Sequence, residues 1–326
     1  MHGIVVENPG RDYRLAVAEL PLPTPGPGQV LVEVDSAGVN RADLLQARGA
    51  YPPPPGASPL LGLECAGRIA QLGPGVERWQ VGDAVAALLP GGGYAQYAVA
   101  DAACLLPVPA AFPLVDAGAA PESVCTVWSN FREAGYAPGA AVLVHGGAGG
   151  IGTMAIALGA ALGSLVLATA GSAERARACE ALGAARGIDY RGEDFVQAVA
   201  ETTGGRGADL ILDVVGASYL ERNLRALAPG GTLAVIGLMG GARAELDLGR
   251  LLARRQRVMA TNLRNRSAAG KAQVIREVRR DVWGLVTSGQ ARPVIGARYP
   301  ASEAAAAHAA MKAGDVVGKI LLTWRS

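Results

Sequence analysis

Apolar and polar positions change their rhythm about a third of the way along the chain. From Gly3 to about Pro121, residues 15–20 have an alternating character and residues 30–34 alternate apolar with polar, the period of a half-buried strand. Further short apolar runs at 67–72, 84–88 and 94–99 are separated by glycine and proline, and Pro21 to Pro27 forms a proline-rich turn. This stretch is expected to be a compact, mostly β domain. Beyond Pro121, strand-like runs at 142–145, 165–169, 187–189, 210–215, 232–237 and 257–262 alternate with helical segments. An apolar helix separates the first two. A polar-faced helix over 173–182 ends at Gly183, and another over 218–227 stops at Pro229-Gly230-Gly231. Six strands with intervening helices predict an α/β fold with a doubly wound parallel sheet. After Asn265 come a helix over 272–288 and a final strand over 319–324, a tail that would rejoin the first domain. The expected division is therefore 1–121 with 265–326, and 122–264.

Composition changes this picture little. The chain has 326 residues, enough for two domains. Half of them are hydrophobic and 18% are charged, and 30 basic against 28 acidic residues leave a net charge of +2. So even a balance gives no reason to expect nucleic acid or an anionic surface as the main partner. Cys65, Cys104, Cys125 and Cys179 are far apart and form no CxxC pair, which suits buried thiols in a reducing compartment such as the cytoplasm. Met1 to Gly10 has no basic stretch followed by an apolar core, so no signal peptide is expected. Residues 134–173 contain no Asp, Glu, Lys or Arg, yet glycines interrupt the run repeatedly. A buried strand, glycine turn, helix and second strand account for it without a membrane span.

Chemistry concentrates where the 142–145 strand breaks into His145-Gly146-Gly147-Ala148-Gly149-Gly150-Ile151-Gly152. Gly147, Gly149 and Gly152 match the dinucleotide fingerprint, which needs a tight turn, a close approach to pyrophosphate and close packing of helix on strand. N–H groups at the helix start would face the phosphates. About 20 residues on, such folds normally carry an acid that binds the ribose 2′-OH. Here the chain reads Ala170-Gly171-Ser172-Ala173-Glu174-Arg175. Ser172 and Arg175 offer a hydroxyl and a guanidinium where a 2′-phosphate would sit, which favours NADPH over NADH. The alternative is a Ser172 that only caps the helix and an Arg175 on a solvated face. Glu174 either points away or restores some NADH preference. Tyr190, closing the third strand, is either a phosphate-side residue or a core tyrosine.

Metal chemistry lacks ligands: His2, His145 and His308 are the only histidines, and no Cys/His pair has ligand spacing. His145 reads as a strand-end residue with local partners. In the first domain, Gly38-Val39-Asn40-Arg41-Ala42-Asp43 precedes Tyr51-Pro52-Pro53-Pro54-Pro55-Gly56. Asn40 could hold the nicotinamide side or a substrate carbonyl, and Tyr51 could donate to that carbonyl. A capped turn and a tyrosine packed on prolines would look the same.

Together these stretches resemble the zinc-independent NADPH:quinone oxidoreductases of the medium-chain dehydrogenase/reductase superfamily, the zeta-crystallin-like group, nearest its stress-inducible branch. The resemblance runs from Val5 to about Leu322. Besides the glycine loop it is carried by Asn40-Arg41-Ala42-Asp43, Leu61-Gly62-Leu63-Glu64, Leu89-Pro90-Gly91-Gly92-Gly93, Asp189-Tyr190-Arg191, Gly237-Leu238-Met239-Gly240-Gly241 and Val317-Gly318-Lys319-Ile320. It implies a GroES-like β domain with a Rossmann domain, NADPH and substrate lying in a cleft between them. Gly147, Gly149, Gly150, Ile151 and Gly152 would contact pyrophosphate, and Ser172, Arg175 and Tyr190 the 2′-phosphate. Thr126, Gly237, Met239 and Leu263 would lie along the nicotinamide half, with Lys319 reaching the cofactor from the tail. Asn40 and Tyr51 match the substrate pocket. Zinc-dependent cousins place a cysteine near Asn40 and Gly-His-Glu near Gly62, where this chain has Asn40 and Leu63. Asn262-Leu263-Arg264 lies where relatives vary and pocket shape is decided.

The expected activity is hydride transfer from NADPH to a quinone or another electron-poor enone. Tyr51 would donate to the carbonyl and Asn40 would position it. Medium-chain enoyl or alkenal reduction uses the same residues, and an NADPH-binding protein with little turnover is the reading from another class. The resemblance also implies a homodimer, paired through a strand edge near 232–237 or 257–262.

Overall fold

The computed structural model describes residues 1–324, and the chain divides into two units, Met1–Cys125 with Leu263–Ser326, and Thr126–Asn262. In the first unit the organising strand is Gln29–Val39, whose Val30, Val32 and Val34 point into a core shared with Ile69, Val85, Leu105 and Ile320. Its sheet runs Ile295–Pro300, Lys319–Thr323, Gln29–Val39, Glu64–Leu72, Ala84–Leu88, Leu105–Pro107, with Tyr97–Asp101 also paired to Gln29–Val39. The Lys319–Thr323 strand lies antiparallel to Gln29–Val39, with Ile320 opposite Val39. The tail thus enters the first unit's sheet.

The second unit is a six-stranded parallel sheet in the order Arg186–Asp189, Leu165–Ala170, Ala141–Val144, Ala208–Asp213, Leu227–Val235, Arg257–Ala260. Numbered along the chain that is 3-2-1-4-5-6, the doubly wound order with its switch point beside the first strand. The charge-free 134–173 stretch becomes the buried Ala141–Val144 strand, the Gly150–Ala161 helix with Met154 to Leu158 buried, and the Leu165–Ala170 strand. Among the described residues no helix is long and apolar enough to cross a membrane.

Three expectations change. The 272–288 helix is two helices, Ala268–Asp281 and Trp283–Thr287, because Val282 leaves helical geometry (φ −133°) and the Trp283 indole donates to the Pro107 carbonyl at 2.8 Å. The fifth strand does not wait for Thr232. It starts at Leu227, and between the pairs Ala208–Leu227 and Leu210–Thr232 residues 228–231 bulge from the ladder, with Gly230 at φ +77°. That strand is paired on both sides, so the 232–237 segment is no sheet edge, and of the two proposed edges only Arg257–Ala260 is one.

Candidate active site and cofactor cradle

In the second unit the first strand ends in a turn made by Gly146, which holds φ +69°. The turn is therefore made one residue before the fingerprint begins. Gly147 has the packing role, since a Cβ there would sit 2.7 Å from the Ala168 Cβ and 2.8 Å from the Cys179 Sγ. Gly152 is more constrained, a Cβ falling 2.2 Å from the Gly146 carbonyl oxygen. Gly149 differs. The Gly146 carbonyl at 3.4 Å is all that its Cβ would meet, so nothing within the chain requires glycine there. A residue kept free of a side chain without an internal reason is what a close-approaching ligand needs.

The Gly150–Ala161 helix carries no acid in its first turn, and its first helical bond is Thr153 N–H to the Gly149 carbonyl. The N–H groups of Gly150, Ile151 and Gly152 thus precede the ladder at the positive end of the helix dipole. A buried network holds this loop. Thr169 donates its hydroxyl to His145 Nδ1 at 3.0 Å, His145 Nε2 donates to Asn223 Oδ1 at 2.7 Å, and Asn223 Nδ2 donates to Asp213 at 3.2 Å. His145 is a strand-end residue with local partners. Burial holds its imidazole down near about 4, so it stays neutral and each ring nitrogen has one role.

At the tip of the second strand Ser172 caps the Ala173–Ala181 helix, its Oγ accepting from Arg175 N–H at 3.3 Å. The hydroxyl hydrogen remains for another acceptor, so the cap and a phosphate contact are compatible. Tyr190 is 41% exposed, which decides against a core tyrosine, and its hydroxyl lies 3.0 Å from where a Cβ on Gly171 would be. Ser172, with the Arg175 backbone against it, and the Tyr190 hydroxyl beside Gly171 therefore lie at the same strand tip. Glu174 is exposed on the helix's first turn. Gly237 follows the fifth strand, and the Met239 N–H bonds the Val214 carbonyl at 3.2 Å, which ties the two strand-end loops together. Met239 is 60% exposed at the carboxyl end of the sheet. Thr126 opens the second unit, in the Pro121–Glu133 helix, and its carbonyl accepts from Asn130. Glycine loop, acid-free helix start and serine-arginine-tyrosine tip fit a phosphorylated dinucleotide.

The first unit gathers a different set. Asn40 ends the long strand and starts the Arg41–Ala47 helix, its N–H donating to Asp43 Oδ2 at 2.8 Å. Asp43 also accepts from Gly62 N–H and the Tyr94 hydroxyl. Burial raises its carboxyl to about 6 despite those donors. The chain of bonds continues outward: Tyr94 Oη lies 3.2 Å from His308 Nε2, and His308 Nδ1 2.9 Å from the Tyr13 hydroxyl.

Two of the expected site residues are committed elsewhere. Asn40 Nδ2 donates to Glu64 Oε1 at 2.9 Å and to the Gly38 carbonyl at 3.3 Å, while Asn40 Oδ1 accepts from Lys319 Nζ at 2.6 Å. Both amide hydrogens are engaged, which leaves only an Oδ1 lone pair for a ligand. Lys319 has no donor left for the cofactor. Its Nζ bonds Val39 O, Asn40 Oδ1 and Glu64 Oε1 at 3.3, 2.6 and 2.5 Å, and the side chain is buried. The Lys319–Glu64 pair flanks Asn40, and among the described residues no three His, Cys, Asp or Glu side chains are grouped so that they could hold a metal ion. This donor set does not fit zinc.

Tyr51 has a neighbour that sequence reasoning did not assign a role. Arg264, 3% exposed, places its guanidinium 5.1 Å from the Tyr51 ring centroid. It donates to Pro90 O at 2.9 Å, Tyr51 O at 3.2 Å and Gln46 Oε1 at 2.5 Å. One buried cation thus pins the Tyr51 loop, the Leu89–Gly93 stretch and the first helix, and burial lowers its own pKa. The signal in the sequence was an arginine beside the apolar Leu263, which is 8% exposed. The four cysteines are buried and free, with Cys65 and Cys104 pushed up to about 12 by burial, so neither is a thiolate nucleophile.

Comparison with known proteins agrees with both units. Residues 26–110 match the alcohol dehydrogenase GroES-like domain, and residues 150–279 match the family described as zinc-binding dehydrogenase. The structure of Escherichia coli quinone oxidoreductase complexed with NADPH is similar at TM-score 0.87 and 28% identity, covering 99% of this chain and 100% of that one. A 2-haloacrylate reductase of Burkholderia sp is 30% identical over 324 residues, 98% of this chain and 97% of the relative. A mycocerosic acid synthase-like polyketide synthase of Mycobacterium tuberculosis is 31% identical over 322 residues, and the chain spans only 15% of its length. With both domain families matched and a relative aligned nearly end to end, the chain belongs to the zeta-crystallin-like quinone oxidoreductases of the medium-chain dehydrogenase/reductase superfamily.

Proposed function

We propose that the protein is a metal-free NADPH-dependent reductase that delivers hydride to a quinone or a similar electron-poor carbonyl or enone. The observation that carries this reading is the tip of the second strand, where Ser172, Arg175 and Tyr190 replace the acid of an NADH site. NADPH supplies a hydride from C4 of its nicotinamide when bound. The chain's own part is to hold and orient. Gly147 to Gly152 with the helix start would receive the pyrophosphate, and Gly237, Met239 and Thr126 of the same unit would border the nicotinamide half. Tyr51, held by Arg264, presents its hydroxyl to the substrate carbonyl. Asn40 shapes the pocket wall from a fixed rotamer and offers one acceptor. Alignment of this kind is the main catalytic means available to a site without a metal.

Reduction of an activated alkene is the second reading, favoured by the likeness to the 2-haloacrylate reductase over nearly its full length. Rates of NADPH oxidation with 1,2-naphthoquinone, a trans-2-alkenal and 2-chloroacrylate separate the two. The highest kcat/KM with the quinone supports the main reading, and turnover of alkenes alone replaces the substrate class while keeping fold and cofactor.

We also infer a homodimer through the Arg257–Ala260 edge, near which Leu248, Leu252 and Val258 are 68%, 82% and 40% exposed. Sedimentation velocity is expected to give a dimer that Val258→Arg weakens; a monomer in the unsubstituted protein contradicts this. The four free cysteines support a cytoplasmic location.

A further inference from the structure

A cavity of about 270 Å³ opens in the first unit where the turn after the Glu64–Leu72 strand meets the Ala268–Asp281 helix. Trp79, 7% exposed, and Ile275 give it an apolar floor, while Arg78, Arg276 and Arg279 stand around it with Glu77. Arg276 and Arg279 are one helical turn apart and lie on one face. The Arg279 guanidinium is 5.5 Å from the Trp79 ring centroid, and one of its terminal nitrogens donates to the Leu105 carbonyl at 2.7 Å. Its Nε is buried with no partner at all.

Three guanidinium groups around one cavity face a single carboxylate, and among the described residues none of the three forms an ion pair. Desolvation first, and then the like charge of Arg78, weaken the hold of Arg279 on its proton. An under-bonded, partly desolvated cation beside another cation is a costly arrangement that an added anion relieves. The lining also selects against a bare ion, since the indole and aliphatic floor rewards an apolar body. The volume suits one ring and excludes a nucleotide.

We propose that this cavity binds a small organic anion: one carboxylate, held by the arginines, on an aromatic body that lies against Trp79. The proposal concerns a separate site from the one assigned above and does not depend on the reaction catalysed there.

Benzoate is the probe, with benzamide as its neutral counterpart and inorganic phosphate as an anion without an apolar body. Binding is read by calorimetry and by the shift of the Trp79 indole N–H resonance, on the full chain and on the Arg78→Glu/Arg276→Glu variant. Both substituted residues are exposed, so the variant is expected to keep the parent's melting temperature. The expected result is saturable benzoate binding that moves the Trp79 resonance, at least tenfold weaker benzamide and phosphate binding, and at least tenfold weaker benzoate binding by the variant. Equal binding of benzoate and benzamide, phosphate binding as tight as benzoate, or unchanged benzoate binding by the variant would each overturn the proposal.

Discussion

In the proposed function Arg175 and Ser172 carry the cofactor choice, because a 2′-phosphate is the one group that separates NADPH from NADH. Arg175→Ala is expected to raise the KM for NADPH roughly tenfold or more and leave that for NADH nearly unchanged, as loss of one charge-assisted contact implies. A parallel rise in both KM values would place Arg175 outside the phosphate site. Arg264 is a positioning residue of another kind. Its removal leaves the Pro90 and Tyr51 carbonyls and the Gln46 amide without their donor, so Arg264→Ala is expected to cost about 2–4 kcal/mol in urea unfolding and to lower kcat. Arg264→Lys should recover part of the stability while kcat stays low, since one ammonium cannot reproduce three fixed bonds. Stability restored together with full kcat would remove the positioning role. At this scale the sequence was readable where backbone chemistry dictates the residue. It was poorly readable where a side chain's partners come from far along the chain. Lys319 is the clearest example, because its commitment to Glu64 and Asn40 depends on a strand pairing formed 280 residues away.

Among the elements, the glycine turn offers a comparison within a single loop. Gly152→Ala puts a methyl group 2.2 Å from a carbonyl oxygen, so a marked loss of stability is expected. Gly149→Ala meets nothing closer than 3.4 Å and should fold with a melting temperature near that of the parent while binding NADPH far more weakly. Fluorescence titration of NADPH, paired with thermal unfolding of both variants, checks this. Normal NADPH affinity in Gly149→Ala would mean that the pyrophosphate does not approach there. The strands of the second unit were legible because buried parallel strands read as continuous apolar runs bounded by glycine. The Ala304–Ala313 helix was missed because alanines mask the apolar stripe, although Ala304, Ala307 and His308 form its buried face. The break at Val282 was also invisible, being set by the Trp283 bond to a distant carbonyl.

For the molecule as a whole, buried titratable groups set the response to acid. His145 and His308 are both held near about 4 by burial, against 6.5 when exposed. The unfolded chain therefore takes up protons first as pH falls, so stability is full above 6.5 and is lost towards 4, by about 3 kcal/mol per histidine. Asp43 has the opposite sign. Its carboxyl is raised from 3.8 to about 6, so its contribution is present below 3.8 and lost as pH rises through 6, by about 3 kcal/mol. Burial also raises the Asp213 carboxyl, which acts in the same sense as Asp43, so the two histidines are partly offset and a smaller net loss is expected on going from pH 6.5 to 4. Urea unfolding across that range is expected to show this fall, and stability that is flat or rising towards pH 4 would contradict the buried, neutral histidines. The pairing of the Lys319–Thr323 strand with Gln29–Val39 is a contact across the length of the chain that the final strand's own residues do not specify.

The central claim is tested most directly by steady-state NADPH oxidation with 1,2-naphthoquinone and 1,4-benzoquinone, repeated with NADH and with a metal chelator. Quinone turnover that prefers NADPH by at least tenfold in kcat/KM and is unchanged by the chelator is the expected result. Tight NADPH binding without turnover of any acceptor, or activity abolished by the chelator, would contradict it.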